Sequence, residues 1–344
     1  MPQAAGRRAR PDALMAQILL HIGAHKTGTS FLQRTLEANR RKLAEAEIHY
    51  PDLGPNAGHH ILVAPWIDVP EIPAHYFGKG GPNGLWDRVV QTGAERNGTL
   101  ILSAEPFSRG APQRVNMADL AERLSTFEDV RVLYVARRQP EFLQSLWLQV
   151  AKTAARPPAF DNFVANALAS GMASGVWLDH AAVLDHVLQG FRPAQVTVWD
   201  YDTVREAPGG LLRAFLALAD APELAAELEP VEARQANVSP DPLGFYAAAR
   251  ITRPMRPAPD LVASATHALK ARDHRRNTIL TRKQYESVLD VFAPSNARLT
   301  RMVREFQPEF RFAPEDVRPA LRYREELANP DWVRLARAVA KIGQ

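Results

Sequence analysis

The sequence predicts an α/β fold: a central, mostly parallel five-stranded sheet flanked by helices, with a helical C-terminal extension. Three observations carry this expectation. Short apolar runs alternate with stretches of helical spacing, the pattern of strands linked through covering helices. The strand runs are continuously apolar, as expected where both faces of a sheet are buried. The first run leads through a glycine turn directly into a helix.

In chain order, 18–23 reads as the first strand, built on Ile18, Leu19 and Leu20. Residues 29–46 then show helical spacing, with Phe31, Leu32, Leu36 and Leu43 along one side. A second strand is expected at 48–51. Residues 52–98 hold 8 of the 19 glycines, so irregular loops are expected there. A third strand at 99–103 and a helix at 115–127 follow. Residues 130–136 form the most strand-like run in the chain. Helices are expected at 141–153, 160–170 and 177–190. A fifth strand at 195–200 and a helix at 210–219 complete the alternation. Beyond about 220 the chain reads as helical, with proline-rich breaks near 230, 240–242 and 254–259. Residues 1–14 are expected to be a disordered extension. Residues 15–344 are expected to form a single domain whose helical tail is a lid or cap. No internal repeat is visible.

The composition is that of a globular protein, with 46% hydrophobic and 23% charged residues among 344. The absence of cysteine excludes disulfides, thiolate metal sites, iron–sulfur clusters and cysteine nucleophiles. The net charge of +4 comes from basic residues dispersed along the chain, so no nucleic-acid partner is expected. Only seven of the 42 basic residues are lysine, and the arginine and alanine skew fits the GC-rich coding of many bacteria. Arg7, Arg8 and Arg10 precede an apolar run, but Gln17 and His21 interrupt it and no cleavage site follows. No stretch approaches the roughly 18 apolar residues of a transmembrane helix. A cytoplasmic location is therefore expected.

Gly23-Ala24-His25-Lys26-Thr27-Gly28-Thr29-Ser30 joins the first strand to the first helix. Amides at a helix start are unpaired and bind anions, and glycine lets backbone approach a ligand. The glycine spacing fits the nucleotide-binding G-x-x-x-x-G-K-[ST], but Thr29 stands at the lysine position and Lys26 lies inside the loop. The plain alternative is a tight turn with a solvated lysine. A second pattern follows the strongest strand: Arg137, Arg138, and Ser145 eight residues beyond Arg137. The guanidinium fork and a hydroxyl both suit phosphate. Lys152 lies two helical turns past Ser145, on the same face.

Together the two motifs resemble those of the bacterial sulfotransferases that use 3′-phosphoadenosine 5′-phosphosulfate (PAPS). Trp199–Val204, the stretch with Asn237 and Ser239, and Ser295-Asn296-Ala297-Arg298-Leu299 are also similar to family segments. The resemblance covers about 18–305. It implies PAPS as co-substrate, with Gly23, His25, Lys26, Thr27, Gly28, Thr29 and Ser30 around the 5′-phosphosulfate and Arg137 and Ser145 on the 3′-phosphate. It implies transfer of the sulfonate to a hydroxyl or amine of a small-molecule acceptor, a carbohydrate or glycolipid, with no metal required. Lys26 would stabilise the leaving phosphate. Family members often carry aspartate after the arginine, so Arg138 leaves open which arginine faces the phosphate.

The acceptor must lose a proton, and the base candidates are Glu105 and His60. Glu105 follows a core strand at the edge where open α/β sheets build their sites, and is slightly preferred. His60 has a suitable pKa without tuning. The structural alternatives are a helix-start carboxylate for Glu105 and loop packing for His59 and His60. For His25 and Asn56 the alternative is a local turn, for Lys152 a solvated side chain, and for Arg138 a surface ion pair. No His-x-x-x-His, Gly-x-Ser-x-Gly or Gly-x-Gly-x-x-Gly pattern supports a metal site, a hydrolase or a dinucleotide fold. The competing functions are a catalytically inactive nucleotide-binding module and an atypical P-loop kinase.

Overall fold

Ala16–His21 forms β1, with Ile18, Leu19 and Leu20 fully buried. A computed structural model describes residues 16–231, 240–270, 275–312 and 320–341. The expected extension at 1–14, and Asn237 and Ser239, lie outside the described residues.

After the loop come α1 (Thr29–Ala38) and α2 (Arg40–Glu45), where the spacing predicted one helix. The break is at Asn39. Its side-chain amide donates to Thr35 O at 2.8 Å and Glu229 O at 2.9 Å, and its Oδ1 accepts the Glu229 N–H at 3.1 Å. The interruption thus anchors a distant segment. β2 is only Ile48–His49.

The region expected to be irregular contains α3 (Gly81–Ala94). One of its glycines serves packing: a Cβ on Gly93 would stand 2.7 Å from Leu100 Cδ2 and 3.0 Å from Phe127 Cζ. Glycine enrichment there marks close approach as well as loops. β3 (Gly98–Ser103), α4 (Met117–Arg123) and β4 (Asp129–Ala136) follow near their predicted places. Next come α5 (Gln139–Thr153) and α6 (Phe160–Ser170). A small hairpin of β5 (Met172–Ala173) and β6 (Val176–Trp177) was not predicted. It precedes α7 (His180–Val187), β7 (Val196–Asp200), α8 (Tyr201–Glu206) and α9 (Gly210–Ala217). The C-terminal part holds α10 (Pro242–Thr252), α11 (Pro259–Leu269), β8 (Arg276–Asn277), α12 (Arg282–Arg304), β9 (Leu321–Arg322) and α13 (Asn329–Ala340).

The main sheet is five-stranded and parallel throughout, in the order β2-β3-β1-β4-β7. The predicted fold class is therefore the observed one. The chain first builds the β2–β3 side of β1 and then crosses to β4. This leaves a crevice beyond the C-terminal end of β1, where open α/β sheets bind ligands. Alternate side chains face the two covering layers. Ile18, Leu20, Leu102 and Val132 meet α3, α4, α5, α7 and α12. Leu19, Ile101, Leu133 and Val135 meet α1 and α9. α10, α11 and α13 build a separate cluster around Leu243, Ala265 and Leu335.

α12 is fastened to the sheet layer by polar pairs. The amides of Gln139 and Asn296 exchange two hydrogen bonds, at 2.6 and 3.0 Å. Ser295 donates to Asp179, which caps α7, and Arg298 pairs with Asp185 at 2.7 Å. The 295–298 stretch thus holds helices together.

Candidate active site

The loop after β1 first continues beside β4. Ile22 N–H donates to Leu133 O at 3.0 Å and Ala24 N–H to Val135 O at 3.1 Å. Gly23 sits at φ 101°, and a Cβ there would stand 3.2 Å from both Glu105 Cα and Ser108 Oγ. Gly28, at φ 82°, would place a Cβ 2.7 Å from Leu211 Cδ2. Both positions therefore require glycine. Thr27 Oγ1 donates to Ala24 O at 2.7 Å and closes the turn. Lys26 is the exceptional residue, an L-amino acid held at φ 62°. That conformation costs about 1–2 kcal/mol. No side chain caps the start of α1, so its first amides are left for an anion. Thr29 is buried and Ser30 is exposed.

Three cations gather at this loop. Arg137, at the end of β4, donates from Nη1 to Lys26 O at 2.6 Å and lies 5.2 Å over the Tyr201 ring. Its Nε is buried with no hydrogen-bond partner. Lys26 Nζ reaches Gln149 Oε1 at 3.4 Å. Ser145, Gln149 and Lys152 follow one another on one face of α5. Burial lowers the Lys26 pKa, and Lys152 and Arg137 lower it further, because like charges resist being held together. None of the three has a carboxylate within ion-pair distance among the described residues. Arg138 is not the surface residue that the sequence alternative made it. It is buried, beside Glu141 and hydrogen-bonded to Tyr285 of α12. Of the two arginines, Arg137 is the one at the loop.

On the other side of the loop lies a carboxylate–histidine pair. Glu105 follows β3 and is 7% exposed. Two segments, α1 and the loop at His60, supply it with three donors: Thr29 Oγ1 to Oε1, Gln33 Nε2 to Oε2 at 3.2 Å, and His60 Nε2 to Oε2 at 2.7 Å. Burial alone would raise its pKa, but His60, His25 and Thr29 outweigh burial and hold it well below the usual carboxylate range. Glu105 does follow a core strand at the sheet edge, and these partners hold it ionised. For His60 burial works downward, but Glu105 prevails and raises its pKa above 6.5. With Nε2–H on the carboxylate, Nδ1 is the remaining lone pair of the ring.

His59 is a packing residue. Its Nδ1 accepts the Ser103 N–H at 3.0 Å, its Nε2 donates to Pro51 O at 3.0 Å, and Tyr50 stacks at 4.4 Å. It thereby sets the loop that presents His60. His25 is half-buried with Nδ1 unpartnered, and burial and its surroundings lower its pKa to about 4. Asn56 is exposed on the preceding loop. Gln33, Tyr201 and Gln149 were not anticipated. Gln33 carried a signal, as a lone amide on the apolar side of α1, one turn after Thr29.

Four histidines are held neutral: His21, His25 and His180 with pKa values lowered to about 4, and His59 to about 3, each mainly by burial. Their folded values lie below the unfolded 6.5, so the unfolded chain takes up protons first as pH falls. Stability should decline from pH 6.5 downward, by about 5 kcal/mol per pH unit near pH 5 at most. His60, raised by Glu105, works in the opposite direction. Melting curves at pH 7, 6 and 5 should show Tm falling by several degrees per unit. A flat Tm would mean these rings are not neutral inside the fold.

No group of three or more His, Cys, Asp or Glu among the described residues could hold a metal ion. No described helix is long and apolar enough to cross a membrane. No protein-family model matches the chain, and neither does any curated protein. Among solved structures the chain is similar to a sulfotransferase from Alicyclobacillus acidocaldarius. The two are 15% identical with a TM-score of 0.44, over 86% of this chain and 96% of that chain.

Proposed function

We propose that the chain is a PAPS-dependent sulfotransferase. The observation that carries this reading is the pairing of two unlike groups across one glycine loop. Lys26, Arg137 and Lys152 form an uncompensated cationic cluster on one side, and the His60–Glu105 pair lies on the other. The donor, when bound, supplies an activated sulfonate and two anionic groups. The residues fit such a molecule: Arg137 Nε and His25 Nδ1 are buried without partners, and none of the three cations has a carboxylate within ion-pair distance among the described residues. Lys26 and the amides of 27–30 would hold the 5′-phosphosulfate, with Arg137 and Ser145 on the 3′-phosphate.

In this reading His60 Nδ1 takes the proton of the attacking hydroxyl or amine. Glu105 orients the ring and stabilises the imidazolium that forms. Lys26 stabilises charge gathering on the leaving phosphate. The raised His60 pKa has a direct corollary, since only the neutral ring accepts a proton: kcat/KM should climb with pH through a value above 6.5. The acceptor, a carbohydrate or glycolipid, follows from the resemblance alone, and a cytoplasmic setting from the N-terminal sequence pattern. A kinase would need a strand-end carboxylate for a metal, but Asp200 caps α8 and Glu105 is engaged by three donors.

The test is a thermal-shift series with PAP (the desulfonated donor), ATP, NAD and AMP. PAP should raise Tm and the others should not. In Arg137→Ala the preference for PAP over AMP should vanish. Stabilisation by ATP but not PAP would overturn the proposal. An unchanged PAP/AMP ratio in the variant would remove Arg137 from the 3′-phosphate.

A further inference from the structure

A groove of about 820 Å³ lies away from the glycine loop and shares none of its residues. It runs along the open edge of the sheet, between α2 and α3 and beside β2. The floor is apolar, formed by Ile48, Leu85, Val89 and Leu100. The rim carries three arginines. Arg40 is tempered by Asp52 at 3.3 Å. Arg88 donates to Lys79 O at 2.7 Å and to Phe77 O, and Arg96 is exposed. Neither Arg88 nor Arg96 has a carboxylate within ion-pair distance among the described residues. Size and lining are those of a small-molecule site.

An apolar floor whose rim keeps a net positive charge, Arg88 and Arg96 beside the Arg40–Asp52 pair, is complementary to one ligand chemistry. We propose that this groove binds a linear anionic amphiphile, an acyl chain ending in a carboxylate. The chain lies on the Ile48–Leu100 floor and the carboxylate lies at Arg96. Arg40 and Arg88 keep the rim positive and disfavour a cationic head.

Calorimetric titration with sodium dodecanoate, below its micelle concentration, tests this. Dodecanoate should bind, and each methylene removed toward octanoate should weaken binding about fourfold. Dodecyltrimethylammonium, with the same tail, should bind at least tenfold more weakly, and inorganic phosphate should not compete. Ala44→Trp fills the groove from an exposed position on α2, and Arg96→Glu reverses the head-group charge. Each should weaken dodecanoate at least tenfold while PAP binding stays unchanged. The proposal fails if dodecanoate does not bind or if the ammonium binds equally well. It fails also if both variants bind as the parent does, or if PAP displaces the acyl chain.

Discussion

Replacing His60 with asparagine should lower kcat by about 10²–10⁴-fold, the range for loss of a positioned base. KM for PAPS should stay within a few fold, because His60 faces the acceptor side of the loop and not the cationic cluster. Glu105→Gln separates the two members of the pair. The amide keeps the shape of the carboxylate and one acceptor oxygen for His60, but carries no charge to hold an imidazolium. If Glu105 acts through His60, Glu105→Gln should cost less in kcat than His60→Asn. It should also move the acidic limb of the pH profile down, toward or below 6.5, because the carboxylate is what raises the His60 pKa. If Glu105 were itself the base, Glu105→Gln would be at least as damaging and the limb would vanish. Steady-state kinetics of the three proteins between pH 5.5 and 9 decide between these outcomes.

The second large effect belongs to Lys26. Lys26→Ala should reduce kcat by about 10²–10³-fold, comparable to losing a single preorganised donor at a site of developing charge. The KM for PAPS should change less, since the loop amides and Arg137 remain. Lys26→Gly sharpens the test. At φ 62° glycine relieves a backbone conformation that both lysine and alanine must strain to adopt. Lys26→Gly should therefore melt higher than Lys26→Ala, by about 1 kcal/mol in stability, while turning over no faster. If Lys26→Ala retained its turnover, the assignment of Lys26 to the leaving group would be wrong.

Much of this molecule was legible in its sequence. β1, β3, β4 and β7 were visible because strands buried on both faces must be continuously apolar, and Leu19, Ile101, Leu133 and Val198 obey that. The glycine loop was visible because Gly23 and Gly28 stand where no side chain fits. The elements missed are those fixed by remote partners. Asn39 breaks a helix to bind Glu229, and the β5–β6 hairpin is two residues per strand. The ionisation of Glu105 was hidden for the same reason. Its three donors come from Thr29, Gln33 and His60, and nothing in the sequence says that these converge. The Arg137–Arg138 ambiguity also needed the fold, because α12, far along the chain, is what buries Arg138.

That same helix imposes an order on synthesis. The layer over β1 and β4 includes Val288, Phe292 and Leu299 of α12, and Tyr323 beyond it. A ribosome completes the sheet at Asp200 and the covering α12 only at Arg304, about 100 residues later. At about 5–20 residues per second, one apolar face of the sheet waits roughly 5–20 s for this helix. During that interval a nascent chain presents Leu-, Ile- and Val-rich strands with β2 and β7 as open edges.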